Sequence, residues 1–428
     1  MAASQAARSA KTVRRPIGLA LAGGAAGGAI YEIGALRALD EAIPDLDLND
    51  LDIYVGVSAG AFIAACLANG LSSAQMCRAI VKPEPGEHPF VPEMFFQPAV
   101  AELGRRMLHI PALLREAIRG YVSGHERRLR DALTVLGRAL PVAIFQNDPI
   151  REYIHGIFSI KNRSDDFRQL NHALRVIATD LESGRPVRFG EPGFDQVPIS
   201  RAVQASTALP GLYPPVAIHD RLYVDGVLLK TMHASAALEW GAELLFCVNP
   251  IVPVDARQGI QQGEVPPGLI LERGLPAVLS QTMRTLIHSR MHLGVRAYEN
   301  RYPGADVILF EPSRNDHKSF FSNVLTFRSR RAVCERAYQT TRRDLLRRKE
   351  SLGPKLAEHG LALDIAHLED PTQRLWAHVL PGEDAAEAEA AGGARSAAGG
   401  ERETSTAGEV LADLDRVLAR VRRLVKTP

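Results

Sequence analysis

Residues 53 to 71, IYVGVSAGAFIAACLANGL, run nineteen positions without a charge. A stretch of that length meets the requirement for a membrane span, yet its internal order argues otherwise. It opens with a β-branched run, is interrupted by Gly56, Ser58 and Gly60, and continues in alanine-rich helical composition. Strand, sharp turn and buried helix account for it better than one continuous helix.

The same alternation continues along the chain and is the signature of a mostly parallel sheet covered on both faces. Candidate strands are Ile17 to Ala22, Ile53 to Val57, Leu174 to Thr179, Pro186 to Phe189, Arg221 to Val224, Leu244 to Val248 and Asp306 to Phe310. Candidate helices start near Ala29, Ala59, Ile199, Thr231 and Arg273. The order βαβ, with small-residue turns after the first two strands, puts both turns at the carboxyl edge of the sheet, where open α/β folds bind ligands.

The second of those turns is Gly56-Val57-Ser58-Ala59-Gly60, a GxSxG after a strand and before a helix. The serine then lies on a tight elbow, and the flanking glycines remove side chains that would collide there. The helix N-terminus beneath it favours developing negative charge. A serine hydroxyl needs a base, and two candidates stand close together, Asp225 in LYVDG and His233 in TMHASAALEWGAE. Asp225 ends a strand beside Gly226, whereas His233 reads as part of a helix, so placement favours Asp225 as the direct partner of Ser58.

The first turn, LALAGGAAGGAIYEIG at 19 to 34, concentrates small residues where backbone must approach something closely. Its visitor could be a dinucleotide phosphate, an export machinery or the oxyanion of an ester under attack. A dinucleotide fits poorly, because the central position of GxGxxG is Ala25 and Val57-Ser58 stand where an acidic residue is needed. KTVRRPIGLALAGGAAGGA resembles a twin-arginine signal, but the same residues form a buried strand and its loop. The expectation is a cytoplasmic or peripherally membrane-associated chain with no signal peptide or transmembrane helix.

Composition excludes other classes. With 51 Lys and Arg against 49 Asp and Glu, the formal charge is +2, too mild for a nucleic-acid partner. Cys66, Cys77, Cys247 and Cys334 have neither CxxC spacing nor a nearby His set, so they read as buried reduced thiols. His109, His219, His288 and His292 are scattered without ligand spacing, and no metal or cofactor is implied. Pro210, Pro214 and Pro215 shape a loop.

Domain organisation follows from composition shifts. Residues 1–14 form a flexible tail, with Lys11 and Arg14, and Arg15 just past it, solvated, and 15–370 hold the α/β domain. Within it, 82–148 interrupt the alternation with helices carrying exposed-looking Phe90, Phe95 and Phe96. This is a packed helical subdomain or a mobile cap over an apolar site, and the proline-punctuated aromatics favour the cap. Residues 381–408 are a low-complexity linker. Residues 409–428 form a short amphipathic helix with a basic bias, suited to self-association, to a membrane surface, or to docking on its own domain.

Five segments in order carry a family resemblance: Gly23-Gly24-Ala25-Ala26-Gly27-Gly28, GVSAG, ATDLESGRPVRF at 178 to 189, AVQASTALPGLYPPVAI at 202 to 218, and YVDGV at 223 to 227. Together the chain resembles the patatin-like phospholipases over about residues 16 to 250. That resemblance implies a three-layer α/β/α fold and a serine acyl hydrolase of phospholipase A or lysophospholipase type. Ser58 would be the nucleophile and Asp225 the base in a dyad, with Gly226 completing the dyad motif. The turn's backbone N–H groups at Gly23, Gly24, Ala25 and Gly28 would hold the oxyanion, with Gly56 and Gly60 forming the elbow. Lipid or a membrane surface is the implied substrate partner, and a homo-oligomer through the C-terminal helix is open.

Two departures stand out. The family's turn usually reads Gly-Gly-Gly-x-Arg/Lys-Gly, whereas Ala25 replaces the third glycine and Gly27 the basic residue. The segment after it is one residue longer than the commoner form and is similar to a bacterial branch with Tyr-Glu-Ile-Gly. Ala25 is tolerable if its φ is negative. The departures leave a second reading open, a catalytically silent lipid- or granule-associated binding protein.

Overall fold

The computed structural model describes residues 15–81, 96–99, 142–263, 265–316 and 327–379. The chain divides into two compact units, Met1–Leu375 and Trp376–Pro428, and all that follows concerns the first. The tail 1–14, most of the insertion with Phe90, Phe95 and His109, the linker 381–408 and the amphipathic helix 409–428 lie outside the described residues.

Eight strands make one sheet: β1 (Ile17–Leu21), β2 (Ile53–Val57), β3 (Ala173–Asp180), β4 (Pro186–Phe189), β5 (Val216–Ile218), β6 (Arg221–Asp225), β7 (Leu244–Val248) and β8 (Asp306–Phe310). Their order is β5-β6-β3-β2-β1-β7-β8, with β4 also paired to β3. The central pairs β3-β2, β2-β1, β1-β7 and β7-β8 are parallel, while β4, β5 and β6 add antiparallel pairs at one side. Every residue of β1, β2 and β7 is buried, which explains their unbroken aliphatic and aromatic sequences: a parallel strand covered on both faces has no polar side to supply.

The helices used below are α1 (Ala25–Ala42), α2 (Ala59–Ala68), α3 (Ser73–Val81), α4 (Asp148–Phe158), α5 (Ile199–Ser206), α6 (Ser235–Trp240), α7 (Ala256–Gln261), α8 (Leu269–Glu272), α9 (Gly274–Arg301) and α10 (Phe327–Arg347). Ile53, Val55 and Val57 of β2 face an apolar cluster with Ala236, Ala237 and Leu238 of α6 and Ile287 of α9. The helix α1 packs closely on α10, because a side chain at Gly34 would meet the Cys334 carbonyl oxygen at 2.3 Å. The small residues of α1 therefore serve helix packing as well as the turn before it.

Two helix starts differ from the sequence reading. The helix α1 begins at Ala25 rather than near Ala29, because the poor helix former Gly28 is held against Pro250, and its N–H bonds the Gly24 carbonyl at 2.8 Å. Tertiary packing outweighs propensity there. The helix α6 begins at Ser235, not Thr231, because His233 takes a left-handed backbone with φ of 46°. The short strand β5 follows Pro214-Pro215 and had no sequence counterpart.

Where the insertion leaves and rejoins the domain, Pro98 bridges Phe145 and Ala143 bridges Gly211. Phe96 meets Phe145 edge-on at 5.5 Å. The 96–99 piece thus pairs with the 142–146 piece, which in turn is tied to the 209–213 loop, where Leu212 O accepts from the Phe145 N–H. All four cysteines are buried and free.

Candidate active site

The parallel register sets up the site. Val57 ends β2 opposite Ile177 of β3, and one step further along β3 Ala178 stands opposite Asp225 of β6. Ser58 and Asp225 therefore emerge on either side of β3, at the same end of the sheet. Gly226 lets the chain cross over β3 there: a side chain on it would meet the Ile177 carbonyl oxygen at 2.5 Å and Val57 at 3.2 Å. The Ser58 hydroxyl faces the Asp225 carboxyl, and its influence there opposes the rise that burial gives that group.

Ser58 forms the elbow, with φ of 53° and ψ of −123°, a conformation that costs a non-glycine residue about 1–3 kcal/mol and persists only where its surroundings enforce it. Tight packing supplies the enforcement. A side chain on Gly56 would strike Ala61 and Gly60 at 2.4–2.5 Å, and one on Gly60 would strike the Leu21 and Ala22 backbone at 2.5–2.6 Å. The Ser58 N–H donates to Ser206 Oγ at 2.8 Å, and that hydroxyl donates to the Ile177 carbonyl at 2.5 Å. Ser206, at the end of α5, thereby ties the Ser58 backbone to β3.

Asp225 is only 2% exposed. Burial pushes its carboxyl up to about 7, against the opposing influence of Ser58 and the hydrogen bond from the Val227 N–H, the latter at 2.9 Å. Its backbone is fixed on both sides: the Asp225 N–H donates to the Ala208 carbonyl at 3.0 Å, and Thr179 Oγ1 donates to the Asp225 carbonyl at 3.1 Å. A carboxylate poised near neutrality is matched to general-base work at physiological pH.

The small-residue turn lies against the serine. A side chain at Gly23 would come within 3.1 Å of Ser58 Cβ. Of the four residues that the sequence offered as oxyanion donors, Gly23 gives its N–H to the Thr231 carbonyl at 3.3 Å and Gly28 gives its own to Gly24. The Gly24 and Ala25 N–H groups have no backbone acceptor among the described residues; they are the exposed donors of the α1 N-terminus. Ala25 has a φ of +51°. The condition under which alanine replaces glycine without strain is therefore not met, and Ala25 holds a left-handed conformation costing about 1–2 kcal/mol.

His233 is buried, and its Nε2 has no hydrogen-bond partner among the described residues. Burial with the nearby Lys230 charge lowers its imidazole to about 3, although its bond to the Gly226 backbone opposes this. It is a neutral ring braced on the loop beneath Asp225. Glu32 of α1 is fully buried, and burial holds its carboxyl well above the carboxylate range against the pull of the Ala22 amide. Ser206, Ala208 and Thr179 escaped sequence reasoning. The first two belong to the ASTALPG stretch, whose order was visible but whose contacts were not.

A serine on a strained strand-to-helix turn, beside a buried carboxyl at the end of a mostly parallel sheet, has the backbone geometry of an α/β elbow. Comparison with known proteins narrows the class. The family model for patatin-like phospholipase matches residues 19–238, just over half of the chain, and the chain belongs to that family. The lysophospholipase nte1 of Aspergillus oryzae is 27% identical over 238 residues, covering 55% of this chain. The chain spans only 12% of that relative's length. Among solved structures, VipD from Legionella pneumophila aligns over 77% of this chain and 66% of its own, at 14% identity and a TM-score of 0.34. The type III effector protein ExoU aligns over 97% of this chain and 66% of its own, at 16% identity and a TM-score of 0.32.

Proposed function

We infer that the chain is a serine acyl hydrolase that cleaves carboxylic ester bonds of lipids through a Ser58-Asp225 dyad. The observation that carries this reading is the placement of Ser58, on a strained elbow, beside a buried Asp225 carboxyl pushed up to about 7 at the same end of the sheet. As Ser58 Oγ attacks the ester carbonyl, Asp225 accepts the serine proton. The Gly24 and Ala25 N–H groups, at the positive end of α1, receive the oxyanion. Collapse expels the alcohol, which takes the proton from Asp225, and leaves an acyl-Ser58 ester. Water then gives its proton to Asp225, attacks the acyl carbon and releases the fatty acid and the Ser58 hydroxyl.

A lipid ester is the substrate class that family membership supports, and the lysophospholipase relative favours a phospholipase A or lysophospholipase reaction. The test compares Ser58→Ala, Asp225→Asn and His233→Ala on a short-chain aryl ester and on a mixed lipid extract. The first two lose hydrolysis and the third keeps it. An inactive but folded His233→Ala protein would instead support a triad. A folded wild-type protein that releases no fatty acid from any lipid would favour the silent binding protein.

A further inference from the structure

The helix α9 presents an apolar face that no part of the catalytic account uses. Leu275, Leu279 and Leu286 are 68%, 53% and 55% exposed. At about 100° per residue they fall within about 40° of one another on the helix surface. Leu271 of the preceding turn is 76% exposed. Thr282 lies on the same side, and its hydroxyl is turned back to the Val278 carbonyl at 2.8 Å. Such back-bonding satisfies a threonine without water.

Charge distinguishes the occupants such a face could take. From Gly274 to Tyr298 the sequence has three arginines and two histidines and no aspartate or glutamate. Arg284 turns away from the leucines to the Pro250 and Val252 carbonyls, and His288 faces Glu311. The exposed Arg290 lies beside the leucines, where a second copy packed face to face about a two-fold axis would set it against its own counterpart. An anionic lipid surface complements it, and a leucine face on a basic helix is the pattern of an interfacial membrane helix.

The position fits delivery to the site. Ile287, about a third of a turn from the leucines, belongs to the apolar cluster that holds Val57 and Val227, the neighbours of Ser58 and Asp225. Arg290 donates to the Leu228 carbonyl at 3.3 Å, three residues beyond Asp225. We propose that the exposed leucine face of α9 docks the protein on anionic membranes, on the helix that packs against the Ser58 strand. Docking stands on the face alone; its use in delivering substrate rests on the hydrolase reading.

The experiment uses the full chain and sedimentation with vesicles of phosphatidylcholine alone or mixed with phosphatidylglycerol. The wild-type protein partitions onto the anionic vesicles. A Leu275→Ser/Leu279→Ser/Leu286→Ser variant loses about 100-fold in partition, while its turnover of a soluble short-chain ester stays within about twofold of wild type. Equal partition of variant and wild type overturns the proposal, as does a wild-type protein that ignores anionic vesicles. A change from dimer to monomer in light scattering assigns the face to a second copy and overturns it too.

Should the triple variant not fold, Leu279→Trp gives the same answer: its fluorescence is quenched by brominated lipid, and vesicle binding without that quenching places the contact elsewhere. Ser58→Ala separates the two readings, since it abolishes turnover and binds vesicles as wild type does. Quenching at position 279 in a protein that hydrolyses no ester would sink the hydrolase reading and leave the docking face standing.

Discussion

Replacing Asp225 with asparagine is expected to inactivate the protein and stabilise it at the same time. The carboxyl is buried, and its pKa is pushed from 3.8 in the unfolded chain to about 7 in the folded one. A raised folded-state pKa contributes stability that is full below pH 4 and is lost as pH climbs through 7. The gap corresponds to about 4 kcal/mol. Asparagine keeps the shape, with its Oδ1 able to accept the Val227 N–H and its amide able to face Ser58, but it never ionises. The melting temperature of Asp225→Asn should therefore exceed that of wild type by about 5 °C at pH 8.5, and the difference should shrink towards pH 4. Turnover of an aryl ester should fall by about 10³-fold, the scale of a lost general base. Differential scanning calorimetry across pH reads the first effect and steady-state kinetics the second. A variant less stable than wild type at pH 8.5, or a difference that does not change with pH, would refute the reasoning.

The same burial predicts that kcat/KM of the wild-type protein rises with pH through an apparent pKa near 7, because Asp225 must be ionised to take the serine proton; a rise near pH 4 would contradict it. Ser206→Ala strands the Ser58 N–H and the Ile177 carbonyl, so urea unfolding should show a loss of about 2–4 kcal/mol and kcat should drop with little change in KM. Gly60→Ala places a methyl within 2.6 Å of the Leu21 and Ala22 backbone and should cost about 3 kcal/mol or more.

Much of this fold was legible because the central strands are buried on both faces. The apolar runs that open at Ile17, Ile53 and Leu244 needed no partner to be recognised, and they form the strands β1, β2 and β7. β5 was not legible: three residues after two prolines carry too little pattern, and only the pairing with β6 makes them a strand. The start of α1 was misjudged because glycine propensity argues against a helix that Pro250 and α10 stabilise from outside. For the candidate site, the placement of Ser58 on an elbow and of Asp225 at a strand end could be read from local sequence, since turn chemistry dictates both. Ser206, Ala208 and Thr179 could not, because their work is done across 148, 17 and 46 positions of sequence by single hydrogen bonds. The conformation of Ala25 was equally hidden, since φ at a departure from the usual glycine is set by what the turn packs against.

The central claim is that Ser58, activated by Asp225, is the nucleophile, and covalent labelling tests it most directly. Full-length protein would be treated with a fluorophosphonate at pH 8, followed by intact mass measurement and peptide mapping. The account predicts a single adduct on Ser58, absent from Ser58→Ala, about 10³-fold slower to form in Asp225→Asn, and unaffected by His233→Ala. A folded wild-type protein that takes up no label, or an Asp225→Asn protein labelled at the wild-type rate, would contradict it.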